Sequence, residues 1–269
     1  MPELPEVETT CRDLKQNGGV NQIIKSVDVL WPKSLSNFEG ARLIGATISH
    51  ISRRGKYIVL TLDSGATLLI HLRMTGSLRI EPIESEMDPY DRVVINFENQ
   101  KLAFRDPRKF GRLTLTEEAA VYLDKLGIEP LSAAFTAPLL FEMLQKKHKQ
   151  LKALLLEQSF IAGLGNIYAD EVLFAARLNP MRTAASVTLE EATLLHSAIV
   201  TILTQAIENR GTSLGDGKGN YSSNGKRGGH AARLKIFRKQ GQPCPVCGTK
   251  IEKIVVAQRS THFCPECQK

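Results

Sequence analysis

Apolar and polar residues alternate in short runs through roughly the first 116 positions, and apolar residues recur at helical spacing from about 131 to 211. Residues 22–29 alternate as one strand. Residues 47–63 alternate again through Ile48, Ile51, Tyr57, Val59 and Thr61, with a turn at Arg53-Arg54-Gly55-Lys56. Asp63-Ser64-Gly65 is a hairpin signal leading into 66–71, and further strands are expected at 77–80, 92–97, 101–105 and 112–116. Many short strands with regular turns predict a β-sandwich, flanked by a first helix and another near 117–126. The first helix has Pro5 at its start and Glu6 and Glu8 in its opening turn, and it stops at Asn17-Gly18-Gly19. Further on, helices are expected over 138–147, from the Gly163-Leu164-Gly165 turn to 176, and over 188–209. Residues 211–233 hold seven glycines and no periodicity, reading either as a flexible linker or as a mobile functional loop.

A chain of 269 residues is long enough for two or three domains with a sizeable core. With 42% hydrophobic and 23% charged residues it reads as soluble and globular. No apolar run reaches transmembrane length and the N-terminus lacks a secretory pattern, so a cytoplasmic protein is expected. A net charge of +7 points to a polyanionic partner, nucleic acid ahead of an acidic membrane.

Cysteine spacing sharpens the picture. Cys244-Pro245-Val246-Cys247 and Cys264-Pro265-Glu266-Cys267 are separated by sixteen residues, the spacing of two zinc knuckles on a β-hairpin. Four thiolates leave no position open for water, so one structural zinc per chain is expected and the metal is not the catalyst. The tip between the pairs, Gln258-Arg259-Ser260, should protrude as a phosphate-reaching finger. Cys11 lies in the first helix as a buried thiol.

The N-terminus carries candidate chemistry. Removal of Met1 would leave Pro2 a free secondary amine, able to attack an electrophilic carbon and form an iminium. Glu3 is the adjacent carboxylate, suited to proton transfer. The alternative is that Pro and Glu only start a helix. Three turns are basic or unusual: Gly55-Lys56 after two arginines, His71 to Gly76 with Met74, and 105–111 with Arg108 and Phe110. Each reads as a solvated loop or as an apolar wedge beside cations, entering a duplex. The helix–turn–helix around Asn166, preceded by a basic stretch from Lys146 through Lys147 to Lys152, reads as a plain hairpin or as a phosphate-binding turn.

Taken together, PELPEVET (2–9), RRGKY (53–57), HLRMTGSLRI (71–80), DPRKFG (106–111), GLGNIYADEVLF (163–174) and the final cysteine-bearing stretch resemble the bacterial formamidopyrimidine-DNA glycosylases over essentially the whole chain. The resemblance implies an α+β multidomain fold. A catalytic β-sandwich domain with its N-terminal helix would occupy 1–130. A helix–two-turns–helix DNA-binding domain with a lesion-recognition loop would occupy 131–233, and a four-cysteine zinc finger 234–269. It implies a bacterial, nucleoid-associated monomer acting on double-stranded DNA with oxidised bases or abasic sites, and no membrane partner. The implied activity is bifunctional: excision of 8-oxoguanine and formamidopyrimidines through a proline Schiff base, then AP lyase cleavage by β,δ-elimination. Catalytic roles fall to Pro2, Glu3, Lys56 and Arg259; DNA contacts fall to His71, Met74, Tyr90, Arg108, Phe110, Lys147, Lys152 and Asn166. Met74, Arg108 and Phe110 would fill the space left by the flipped base.

Three stretches depart from the family. At the finger tip, Gln258-Arg259-Ser260 stands in place of the usual glycines around the arginine, so a stiffer backbone is expected there. Pro89-Tyr90-Asp91-Arg92 stands where a histidine-rich segment is usual, so Tyr90 or Arg92 would replace a histidine contact. Residues 212–233 also differ, and are expected to form a lid that is mobile without DNA and ordered over an extruded base. An endonuclease VIII-like enzyme for oxidised pyrimidines and a non-catalytic zinc-dependent DNA-binding protein are the competing readings; the second gives Pro2 and Glu3 no role.

Overall fold

The computed structural model describes residues 2–215 and 221–269. Removal of Met1, and the part of the expected lid at 216–220, lie outside the described residues. The chain divides into two compact units, Met1–Asp124 with Asn209–Ala231, and Lys125–Glu208 with Ala232–Lys269. Much of the glycine-rich segment therefore groups with the N-terminal unit.

The first unit begins with α1 (Leu4–Gln16), whose Leu4, Val7, Cys11 and Leu14 form a buried stripe at helical spacing. Pro5 occupies the second helical position, and Glu3 and Glu6 form a reciprocal capping box. At the other end Gly18 adopts φ 78°, while the N–H groups of Gly18 and Gly19 bond Lys15 O and Leu14 O at 3.2 and 2.8 Å. This is a complete Schellman stop at the expected Asn-Gly-Gly. Burial pushes the Cys11 thiol up to about 12, consistent with an inert core thiol.

Two antiparallel sheets follow. One has the order β1 (Gln22–Ile23), β3 (Thr47–Arg54), β4 (Tyr57–Leu62), β5 (Thr67–His71), β9 (Arg112–Thr116). The other has the order β2 (Ser26–Val29), β7 (Asp91–Asn96), β8 (Gln100–Arg105), β6 (Ser77–Pro82). Ile51, Ile58, Leu60 and Ile70 of the first share one core with Val93, Ile95, Leu102 and Phe104 of the second and with Cys11 and Leu14. The single strand expected over 22–29 is two strands in different sheets. Ile24 N–H bonds Ala46 O and the next residue, Lys25, bonds Asn96 O, so the chain changes sheet between them. The helix expected over 117–126 shrinks to one turn, α2 (Ala120–Leu123), which buries none of its residues and has no side-chain cap.

The second unit is helical: α3 (Ala137–Gln145), α4 (Leu151–Leu155), α5 (Asn166–Ala175) and α6 (Leu189–Glu208). Thr136 caps α3, its hydroxyl accepting Leu139 N–H at 3.3 Å. Helix α5 is buried from Ile167 through Phe174, Asp170 and Glu171 included. Helix α6 packs on α3 and α5, with Ala192, Leu195, Ile199, Leu203 and Ala206 buried. Before α5 the Gln158 amide fixes the turn, donating to Leu156 O and Leu164 O at 3.0 and 2.8 Å and accepting Gly163 N–H at 3.0 Å.

Within the glycine-rich segment, β10 (Ser222–Ser223) and β11 (Lys226–Arg227) pair around Asn224-Gly225, whose φ values of 47° and 76° make a type I′ turn. The expected absence of pattern does not hold there. A last hairpin joins β12 (Glu252–Val256) to β13 (Arg259–Phe263). No helix among the described residues is long and apolar enough to cross a membrane.

Candidate active site and nucleic-acid interface

Pro2 and Glu3 sit buried at the start of α1, Glu3 being 1% exposed. The Glu3 carboxylate accepts the Glu6 backbone N–H, so its charge stands where the helix dipole favours an anion. Glu6 does two things at once. Its Oε2 accepts Glu3 N–H at 2.7 Å and its Oε1 accepts Thr212 N–H at 2.7 Å. Tyr221 donates its hydroxyl to Glu6 O at 3.0 Å. Burial, with Glu6 nearby, pushes that phenol up, so it stays a neutral donor. Ser213 donates to Tyr221 O at 2.5 Å and accepts Gly228 N–H at 2.8 Å. The base of the glycine-rich segment is thereby tied to the helix that carries Pro2.

Lys56 lies in the two-residue turn between β3 and β4, where Arg54 faces Tyr57 across the ladder. Gly55, at φ 55°, supplies the first central position that such a turn demands. Lys56 is 6% exposed, held at the turn rather than waving in solvent. At the end of β5, His71 accepts Arg73 N–H on Nδ1 at 3.0 Å and meets Tyr57 edge-on at 4.8 Å. Burial, helped by the Arg73 and Lys56 charges, pushes its imidazole down to about 3. His71 is neutral at pH 7, so it offers an N–H donor and no charge.

Met74 and Phe110 are 41% and 47% exposed, large apolar side chains on two loops, and the Arg108 guanidinium lies 4.9 Å over the Phe110 ring. Both loops pass through left-handed residues, Arg73 at φ 55° and Lys109 at φ 62°. One buried carboxylate joins them. Asp106 accepts Thr75 Oγ1 at 2.5 Å, Arg108 N–H at 3.2 Å and Gly111 N–H at 2.7 Å. Asp106 was not among the expected site residues; its signal is an Asp before Pro-Arg with a glycine five positions on. Nearby, Tyr90 is exposed, with Arg105 at 4.9 Å and Arg92 at 5.8 Å from its ring. Arg92 is buried and bonds the carbonyls of Asp106, Pro89 and Asp91. Of the two expected substitutes for a histidine, Tyr90 is the one facing solvent.

In the second unit the basic stretch divides. Lys146 and Lys147 are exposed, and Lys149 pairs with Glu157 at 2.5 Å. Lys152 is a correction: its side chain is fully buried, bonded to Asp170 and to Asn166 O at 3.1 Å, and cannot reach a phosphate. The second Asp170 oxygen accepts His262 N–H at 3.1 Å and lies 2.9 Å from His262 Nδ1. Asn166 begins α5 and donates Nδ2 to Ser260 O at 2.9 Å, so the helical turn and the finger hairpin meet there. The tip is also corrected. Ala257 and Gln258, at φ 47° and 59°, make the two-residue turn, and Arg259 opens β13 opposite Val256. Arg259 remains exposed.

The four cysteine sulfurs lie within 4.8 Å of one another, with Cys244–Cys267 and Cys247–Cys264 at 3.9 and 3.5 Å. Zn–S bonds of about 2.3 Å in a tetrahedron require about 3.8 Å between sulfurs. The set therefore fits one zinc ion, and the chain carries it as a closed structural site. Val246 N–H and Cys267 N–H point at Cys244 and Cys264 sulfur at 3.5 and 3.4 Å, favouring thiolates.

Comparison with known proteins matches these parts in order. Residues 1–113 match the formamidopyrimidine-DNA glycosylase N-terminal domain, 126–217 its H2TH domain, and 241–269 the zinc finger found in FPG and IleRS. The chain is 44% identical to the formamidopyrimidine-DNA glycosylase of Protochlamydia amoebophila, covering 100% of both. It is 43% identical to that of Thermus thermophilus, covering 100% of this chain and 98% of the relative. Among solved structures, a Lactococcus lactis FPG mutant in complex with a Fapy-dG containing DNA superposes with a TM-score of 0.92 at 38% identity over 100% of both chains. The MutM (FPG) protein of Thermus thermophilus superposes at 0.89, 43% identical, covering 99% of this chain and 98% of that one. From its first helix to its last cysteine pair, the chain belongs to the formamidopyrimidine-DNA glycosylase family.

Proposed function

We propose that this chain is a bifunctional DNA glycosylase and AP lyase of base excision repair, with the Pro2 amine as nucleophile on duplex DNA carrying oxidised purines. The observation that carries it is the placement of Pro2 and Glu3 at the capped start of a rigid helix in a chain of this family. Lactococcus lactis relatives in complex with Fapy-dG and with abasic-site DNA support the substrate class. Pro2 nitrogen attacks C1′ and the glycosidic bond breaks with its electron pair going to the base, which takes up the proton lost by the amine. The C1′–O4′ bond then opens with its electron pair going to O4′, which is protonated, and the nitrogen lone pair forms the iminium at C1′. Glu3 gives and takes the proton at the sugar. Lys56 assists β-elimination or holds the adjacent phosphate, and Arg259 binds phosphate and assists δ-elimination. Asn166, whose amide keeps a second donor after bonding Ser260, and exposed Lys147 bind the strand. His71 adds a neutral donor and Tyr90 a stacking surface. Met74, Arg108 and Phe110 occupy the vacated stack. The functional modules are 1–130, 131–233 and 234–269, with residues 212–233 reading the base, and the enzyme works as a monomer in the cytoplasm at the nucleoid.

Borohydride trapping on duplexes with different oxidised bases tests this reading. Native protein should become covalently attached to lesion DNA, while a chain with a blocked N-terminus should not. Glu3→Gln should bind and fail to excise. Equal trapping by tagged protein removes Pro2 as nucleophile. Trapping only on oxidised pyrimidines favours the endonuclease VIII-like activity, and binding without trapping favours the non-catalytic protein.

A further inference from the structure

A cleft of about 630 Å3 opens beside Asn166 and Arg259, and its lining extends to Arg238 and Lys253. Among the described residues, three cations line it and no carboxylate does. None of the three is ion-paired among the described residues, and Arg238 and Lys253 are exposed.

The wall behind these cations is rigid. Glu171, buried in α5, accepts the N–H groups of Lys235, Ile236 and Phe237 at 2.8, 3.0 and 2.8 Å, which fixes the chain just before Arg238. The Phe237 ring meets the His262 ring edge-on at 5.3 Å, and the Arg238 guanidinium lies 5.7 Å from the Phe237 ring. Lys253 faces His262 directly across the β12–β13 ladder, so both project on one face. Arg238 itself adopts φ 60°, a left-handed conformation that favours glycine. Keeping a long cation at a strained position, over a fixed aromatic wall and beside other unpaired cations, points to a ligand rather than to folding.

We infer that Arg238 and Lys253 extend the anion-binding surface beyond Arg259 and Asn166, so that the cleft holds a further phosphodiester of the bound DNA strand. This rests on the DNA-binding reading above. Arg presents a planar fork suited to two phosphate oxygens, and Lys a point charge on the same group or the next. The contact is to backbone alone, so it adds affinity equally for every sequence and lesion.

The test is the salt dependence of binding to a duplex with a stable abasic-site analogue, from 50 to 200 mM salt, for zinc-loaded wild type, Arg238→Gly, Lys253→Ala and the double variant. Glycine tolerates the left-handed backbone, so Arg238→Gly keeps or raises Tm while removing the charge. Each lost phosphate contact should flatten the log–log slope by about 0.9, which makes the affinity lost across that salt range about 3.5-fold smaller than for wild type. Slopes equal to wild type in all three variants overturn the inference, as does weaker binding accompanied only by a fall in Tm. If wild type itself shows no salt-dependent binding, the functional reading falls and this inference with it. If wild type binds and cuts lesion duplex while the variants match its slope, only this inference falls.

Discussion

Replacing Lys152 by methionine separates a folding role from a DNA-binding one. Lys152 and Asp170 are both fully buried, and among the described residues the carboxylate is otherwise served by the His262 backbone N–H and ring. Removing the ammonium leaves a buried carboxylate without its strongest partner, while the methionine stem keeps most of the volume. Breaking a buried pair from one side costs about 3–5 kcal/mol. Against a total stability of roughly 5–15 kcal/mol that is a large share. At about 2–4 °C per kcal/mol for a chain of this size, Tm should fall by roughly 6–20 °C. Lys152→Met with Asp170→Asn should recover part of the loss, since no charge is then stranded, and the coupling should be of order 0.5–3 kcal/mol. Urea denaturation of zinc-loaded protein gives the stability, and the salt slope of DNA binding gives the phosphate contacts. Lys152→Met should leave that slope unchanged. A slope flatter by about 0.9 with stability moved by less than about 1 kcal/mol would falsify the buried role and return Lys152 to the phosphate surface.

Chelating the zinc should unfold the finger that carries Arg259 and weaken DNA binding, with metal analysis giving one zinc per chain before treatment; thiols found oxidised in metal-free, fully binding protein would contradict this. His71 sets a pH dependence. Its folded pKa of about 3 lies below the ordinary 6.5, so the neutral ring contributes stability that is present above pH 6.5 and lost as pH falls toward 3. Between pH 7 and 5 the loss should reach up to about 2 kcal/mol, and His71→Gln should flatten that part of the stability–pH curve. Met74→Ala and Phe110→Ala should slow excision of a paired lesion, where unstacking costs a few kcal/mol, more than cleavage at a preformed abasic site; equal losses on both substrates would assign these residues to the fold.

Local pattern made most of the framework legible. Asn17-Gly18-Gly19 announced the Schellman stop, and two Cys-x-x-Cys pairs announced the zinc site. Asn224-Gly225 was an equally good hairpin signal, hidden among surrounding glycines. What local pattern does not contain is partnership at a distance. Residues 22–29 alternate like one strand, and only the separate partners Ala46 and Asn96 break it in two. Lys152 sits in a run of cations that reads as surface, but its counter-charge is eighteen residues on, and the His262 that shares it is ninety-two residues beyond Asp170. Local composition suggests Gln258-Arg259-Ser260 as the tip, whereas the pairing of Val256 with Arg259 across the hairpin places the turn at Ala257-Gln258.

The carboxylate shared between Glu3 and Thr212 limits how this protein can be re-engineered. Residue 211 adopts φ 77°, and a Cβ there would come within 2.8 Å of Glu6 Oε1. A recognition segment transplanted from a relative must therefore bring a glycine at its entry and an N–H aimed at the first helix. A graft that satisfies only the far end would pull on the carboxylate that orients Glu3. With the proposed roles of residues 212–228 in reading the base and of Glu3 in proton transfer, lesion range and proton transfer are not independent design variables; libraries that vary 212–228 should hold Glu6, Gly211 and Tyr221 constant, or vary them together.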